Sequence, residues 1–344
     1  MIEQKAQNQN QIRSKLNFVI IIFITILVLY FSLKDDFNNI LEQLITLNPI
    51  WVFFALFLIL SFYFFKAIGL QHLILRYKKD YSFKKAFRIV LNTQFFNAIT
   101  PFSTGGQPFQ VYMLKKEGID IPSGTNIVVQ NFIVYQMALV LLGSAAIIAN
   151  HFGNYFAESS VLKHLVTLGF IINFLVIVGL FIISFAKNLN KIIVNKIIEL
   201  LSKLRIIKNF EEKIMEWEEY LNRFHKGAKI LIDDKVFFAK AVLANIMALV
   251  CQYLVPLVII YSMGEYHSIN GLEVIMTSAY VMLIGSFVPI PGGTGGLEYG
   301  YIAFFSNFLN GSILQASMLV WRFVTYYFGM ILGAISLNWK EKRS

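Results

Sequence analysis

Long apolar runs separated by short polar segments repeat along the chain: Leu16–Leu33, Pro49–Ile74, Gly124–Asn150, Val161–Ala186, Val236–Met263 and Ser312–Leu337. Each is long enough for a membrane-crossing helix, which needs roughly 20 apolar residues. Two further apolar stretches are broken in the middle. Residues 89–117 read as a short helix, an irregular tip from Pro101 to Pro108 and a second short helix. Residues 271–310 repeat that form around Pro289-Ile-Pro-Gly-Gly-Thr-Gly-Gly-Leu-Glu298. Proline cannot continue a helix, and the clustered glycines leave backbone N–H and C=O groups bare. No arm of either stretch reaches across a bilayer, so both are expected to be hairpins that enter and return; a surface loop between ordinary spans is the alternative for the first. In hydrocarbon such backbone is tolerated only inside protein or along a wet cavity. The two tips are therefore expected to face one site.

Composition supports this pattern. With 57% hydrophobic residues, 15% charged and a mean hydropathy of +0.62, the chain reads as an all-α polytopic membrane protein. The formal charge of +10 sits in loops beside the spans, such as Arg76, Lys78, Lys79, Lys84, Lys85 and Arg88. Anionic lipid headgroups at the cytoplasmic face explain it without nucleic acid. The same bias places both tails, 1–15 and 339–344, in the cytoplasm, and Lys66 is expected to snorkel toward the basic loop. Leu16–Leu33 follows Lys5, Arg13 and Lys15 as a signal peptide would. It is too long and lacks a small-residue cleavage site, so it reads as a retained span. The transmembrane domain (16–338) divides into a first half (16–186), a cytoplasmic connector (187–235) with an amphipathic helix on Ile192, Ile193, Ile197 and Leu200, and a second half (236–338). Within the connector, Lys213 and Arg223 have glutamates at i,i+3 and i,i+4 spacing. One hairpin opens to each side, the pattern of inverted repeats in transporters, whose sites lie where broken helices meet.

Arg322 lies about ten residues into the last span, roughly 15 Å deep, where a charge usually faces a partner or a cavity. Glu298 is its partner by depth. The pair is either a structural tie or a site in which Arg322 takes a lipid phosphate and Glu298 a cationic headgroup or a proton. Around Pro101, the residues Ser103, Thr104, Gly105, Gly106 and Gln107 either offer N–H groups and hydroxyls to a phosphate or merely permit a tight turn. Gly292, Gly293, Gly295 and Gly296 form the second tip. Asn92, Gln94, Asn97, Asn126, Gln130, Asn131 and Gln136 make two unusually polar membrane segments that line a path or bind helix to helix. Gly296-x-x-x-Gly300 and Gly329-x-x-x-Gly333 have small-residue packing spacing. A single cysteine, Cys251, excludes a disulfide framework; the five histidines show no metal spacing, and no phosphate loop, zinc motif or serine elbow occurs. No cofactor is expected.

Ile99-Thr-Pro-Phe-Ser-Thr-Gly-Gly-Gln-Pro108, followed by Tyr112-Met-Leu-Lys-Lys-Glu-Gly118, and the later Pro289–Glu298 motif resemble the flippase-like transmembrane domain of lysylphosphatidylglycerol synthase, the membrane half of the multiple peptide resistance factor. The resemblance covers residues 14 to 340. It implies movement of an aminoacylated or similar polar phospholipid between leaflets of the cytoplasmic membrane. The synthase also carries a soluble domain that transfers lysine to phosphatidylglycerol. The 344 residues hold no counterpart, so a separate soluble transferase is expected as a partner. A membrane-embedded lipid-modifying transferase, with Glu298 as general base, is the alternative reading.

Overall fold

The computed structural model describes residues 42–155, 159–203, 210–286 and 288–337. The expected first span Leu16–Leu33 and both tails lie outside these residues. Among the described residues, five helical stretches are long and apolar enough to cross a membrane: Pro49–Ile74, Ile121–Gly153, Val161–Phe185, Lys235–Ser262 and Gly311–Leu337. They coincide with the other five apolar runs of the sequence, and the protein is an all-α polytopic membrane protein.

Helix α1 (Pro49–Ile74) starts where the Asn48 side chain accepts from the Ile50 N–H and proline occupies the first turn. After the basic loop come α2 (Phe83–Ala98), a single 3-10 turn (Pro101–Ser103) and α3 (Gly106–Lys116). The 16 and 11 residues of α2 and α3 rise only about 24 and 16 Å, short of a hydrocarbon core of roughly 30 Å. Lys85 Nζ near the start of α2 lies 2.6 Å from Glu117 Oε2 just past the end of α3. Both ends of the hairpin therefore sit at one end of the molecule.

Helix α4 (Ile121–Gly153), capped by Asp120, is the central strut, packed against α3 and α5 (Ser160–Phe185). The connector forms α6 (Lys187–Lys203) and α7 (Phe210–Asp233), which pack on each other, with Lys191 Nζ 2.7 Å from Glu218 Oε1. Helix α6 exposes Ile192, Ile193, Ile197 and Leu200, as expected for a helix on a membrane surface. Helix α7 instead docks on α4: Asn126 Nδ2 donates to Phe224 O (2.8 Å) and Gln130 Nε2 to Gly227 O (3.0 Å). Lys213 pairs with Glu216, and Arg223 with Glu219, at the spacings read from the sequence. His225 of α7 is buried against Ser184 O (3.1 Å). Burial pushes its imidazole pKa down, opposed by that contact.

Helices α8 (Lys235–Tyr253) and α9 (Val255–Ser262) form one crossing bent at Leu254, where Pro256 withholds an N–H. A second broken hairpin follows: α10 (Gly271–Gly285), with a complete capping box from Asn270 and Glu273, a 3-10 turn (Pro291–Gly293) and α11 (Gly296–Phe305). The last crossing is α12 (Gly311–Arg322), a π-helical turn (Phe323–Tyr327) and α13 (Phe328–Leu337). Helix α1 packs on α8, α9 and α2; α4 also packs on α8 and α10; α13 packs on α2. The small-residue spacing explains the last contact, because a Cβ at Gly333 would lie 2.5 Å from Leu91 O and one at Gly329 would lie 3.1 Å from Gln94 Cγ of α2, besides meeting the Tyr63 hydroxyl of α1 at 1.9 Å.

Candidate functional site

The two broken tips touch each other, and they share one backbone path. In Pro101-Phe-Ser-Thr-Gly-Gly106, the two residues after proline are left-handed, with φ 53° at Phe102 and at Ser103. In Pro291-Gly-Gly-Thr-Gly-Gly296, the same two positions are Gly292 and Gly293, with φ 66° and 64°. The hydrogen bonds match as well. Ser103 N–H donates to Thr100 O (3.2 Å) and Gly293 N–H to Ile290 O (2.9 Å). Thr104 and Thr294 each fold the hydroxyl onto the proline carbonyl, at 3.0 and 2.9 Å. A helix then begins at Gly106 and at Gly296. The tips differ in how those helix starts are satisfied. Thr100 Oγ1 accepts from Gly105 N–H (2.8 Å) and Asn97 Oδ1 from Gly106 N–H (3.0 Å), whereas Glu298 Oε2 accepts from Gly295 N–H (2.8 Å).

The backbone N–H groups of Ser103, Thr104, Gly105 and Gly106 are all engaged inside the first tip, as the tight-turn reading expects, which leaves the side chains of Ser103 and Thr104 as what this stretch turns to the cavity.

Between the tips and helices α1, α2, α3, α4, α8 and the last crossing lies a cavity of about 560 Å³. Ser103, Thr104, Gln107, Gly292, Gly293 and Arg322 line it. Pro101, Gly105, Gly106, Gly295, Gly296 and Glu298 stand behind this lining and shape the tips. Arg322 and Glu298 meet as their depths suggest: Nε lies 2.7 Å from Oε1, with both side chains buried. Nη1 donates to Gly292 O (3.1 Å) and Nη2 to Thr294 Oγ1 (3.2 Å). One guanidinium thus holds three points of the second tip. The Tyr326 ring stacks 4.7 Å from its Cζ, and the Tyr326 hydroxyl donates to Ala98 O (2.9 Å) at the end of α2. The π-helical turn directly after Arg322 places Tyr326 for this double duty, as extra-residue turns do at functional sites.

The polar residues of α2 and α4 divide by helix face. Asn126 and Gln130 bind α7, while Gln94, Asn97, Asn131 and Gln136 line the cavity. Gln110, Asn173 and Gln252 join them there. These three went unread, although each is an amide in or beside an apolar run, and that was the available signal.

Lys66 departs from expectation. Instead of snorkelling toward the basic loop it lines the cavity, its Nζ 4.1 Å from the centroid of Tyr135 and 5.6 Å from that of Phe62. The face of α1 carrying Lys66 turns toward α4, so the side chain reaches an aromatic wall rather than an interface.

Comparison with known proteins agrees with this architecture. The family described as lysylphosphatidylglycerol synthase TM region matches residues 17–333. The chain belongs to that family. It is also similar to a UPF0104 membrane protein of Archaeoglobus fulgidus, 26% identical over 271 residues, covering 76% of this chain and 78% of the relative. The family match spans both tips and the cavity between them, so the site described is built entirely from the family's domain.

Proposed function

We propose that this protein moves a polar phospholipid between the leaflets of a bacterial-type cytoplasmic membrane, with the headgroup passing through the cavity between the two tips. The observation that carries this reading is an amide-lined cavity of about 560 Å³ between two broken helices in an otherwise apolar bundle. Its volume falls within the ~300–1,000 Å³ range of small-molecule sites. That suits a headgroup whose acyl chains stay outside. Half-helices meeting at a polar site are the way transporters hold substrate at membrane depth. The family name points to aminoacylated phosphatidylglycerol as one substrate class, which a separate soluble transferase would supply as partner, with other polar lipids and polyprenyl carriers open. Both tails and the connector face the cytoplasm in this reading, where the basic loops meet anionic headgroups.

Of the two roles open to Arg322, the geometry favours the tie, since Glu298 neutralises it and the second tip occupies its fork. Glu298 is equally committed, to Arg322 and to the Gly295 N–H. This argues against Glu298 as the general base of a transferase.

The test is reconstitution of the purified chain into vesicles with labelled lipid in one leaflet, reading exposure at the other. Protein-dependent exposure is expected. Lipid exchange no faster than in protein-free vesicles, from well-folded protein, would overturn the reading. Transfer of a headgroup from one lipid to another by the chain alone would favour the transferase instead.

A further inference from the structure

Taking the cavity as a headgroup site, as proposed above, the charge and hydrogen-bonding character of its wall narrows what enters. We infer that the occupant is a lipid phosphodiester with an uncharged, hydroxyl-rich head, its phosphate held by Lys66, rather than a cationic aminoacyl lipid.

The charge argument comes first. Among the described residues, the cavity wall carries two cations, Lys66 and Arg322, and no carboxylate. Arg322 is already neutralised by Glu298 at 2.7 Å. Lys66 has no carboxylate or hydrogen-bond acceptor among the described residues; only the faces of Tyr135 and Phe62 meet it. Aromatic faces compensate an ammonium weakly, and a charge at membrane depth otherwise needs a counter-ion. The missing negative charge therefore belongs to the ligand. An aminoacyl head would bring further ammonium groups beside Lys66 with no carboxylate to receive them, and like charges at close range disfavour binding.

The hydrogen-bonding argument is independent. The remaining polar wall is dominated by side-chain amides. The buried carbonyl oxygens of Gln107, Asn131 and Gln252 have no donor among the described residues, and Asn131 is only 8% exposed. Buried acceptors left without donors are costly, so the ligand is one that donates at several points. Hydroxyl groups do so without adding charge. Phosphatidylglycerol and a polyprenyl phosphohexose both combine one phosphodiester with several hydroxyls.

The test uses the purified full chain in detergent. Its melting temperature is followed while phosphatidylglycerol, lysylphosphatidylglycerol or a polyprenyl phosphohexose is titrated, for the wild type, Lys66→Gln and Lys66→Arg. At least one of the two hydroxyl-headed lipids is expected to stabilise the wild type at about tenfold lower concentration than the lysyl lipid, and which one does so identifies the source. Lys66→Gln should weaken that response by about tenfold, the order of one charge-assisted contact, while Lys66→Arg retains most of it. Equal or tighter binding of the lysyl lipid overturns the inference, as does an unchanged response in Lys66→Gln. If Lys66→Gln does not purify, the wild-type ranking of the three lipids decides alone. The vesicle assay separates the two levels: Lys66-dependent binding with no lipid movement sinks the translocase reading only, whereas preferred movement of the lysyl lipid sinks this inference only.

Discussion

At the scale of single residues, the buried charges set the outcome. Removing one partner of a buried, hydrogen-bonded pair leaves the other uncompensated, at a cost of about 3–5 kcal/mol. Arg322→Ala strands Glu298, which is 9% exposed, and also releases Gly292 and Thr294. Glu298→Gln is milder, because the amide oxygen still accepts from Gly295. The expected order of melting temperature is wild type, then Glu298→Gln, then Arg322→Ala, with the double variant above Arg322→Ala. Arg322→Lys should also lose transport, since a point charge cannot hold both Gly292 O and Thr294 Oγ1. A double variant no more stable than Arg322→Ala would show that the pair is not the tie. Depth alone made this pair legible in the sequence. The position of Lys66 was not legible, because distance along the chain fixes how deep a residue lies and leaves open which way its helix face turns. The same limit explains why Asn126 and Asn131, on one polar helix, ended with different tasks.

At the scale of elements, the tips show how a sequence can conceal a repeat. Proline and the Thr-Gly-Gly core announced that both stretches break. The shared backbone path stayed hidden because Phe102 and Ser103 occupy left-handed positions that such residues seldom adopt, while the second tip fills them with glycine. The second tip permits a clean dissection of backbone strain from packing. A Cβ at Gly292 would meet a left-handed backbone (φ 66°) and lie 2.1 Å from the Tyr326 ring; at Gly295 the backbone is also left-handed (φ 86°), with nothing within 4 Å. Gly295→Ala should therefore cost only the conformational term, about 1–2 kcal/mol. Gly292→Ala should cost clearly more, because it also displaces the ring that bonds Ala98 O. Denaturant or thermal unfolding of the two variants checks this, and equal losses would remove Tyr326 as the brace between the tips.

For the whole molecule, the question is whether the first hairpin returns to the side it left. Lys78 Nζ donates to Glu117 O at 2.7 Å, and Lys85 Nζ lies 2.6 Å from Glu117 Oε2. The loop after α1, the start of α2 and the end of α3 thus gather at one end. At the other end Asn48 N–H donates to Ser262 O (2.8 Å), joining the start of α1 to the end of α9 close to Glu265. The charge bias of the loops predicts that Lys79 and Lys116 face the cytoplasm and that Ser159 and Glu265 face out. Because Cys251 is the single cysteine, a Cys251→Ser background carrying Lys79→Cys, Lys116→Cys, Ser159→Cys or Glu265→Cys can be labelled one site at a time with a membrane-impermeant thiol reagent. In intact cells positions 159 and 265 should react, and positions 79 and 116 only after permeabilisation. Reaction at 116 but not 79 from outside would make α2 and α3 a full crossing. Two helices rising only about 24 and 16 Å would then have to span the bilayer with their ends apart, which the contacts of Glu117 with Lys78 and Lys85 forbid, and the cavity between opposed tips would lose its first wall.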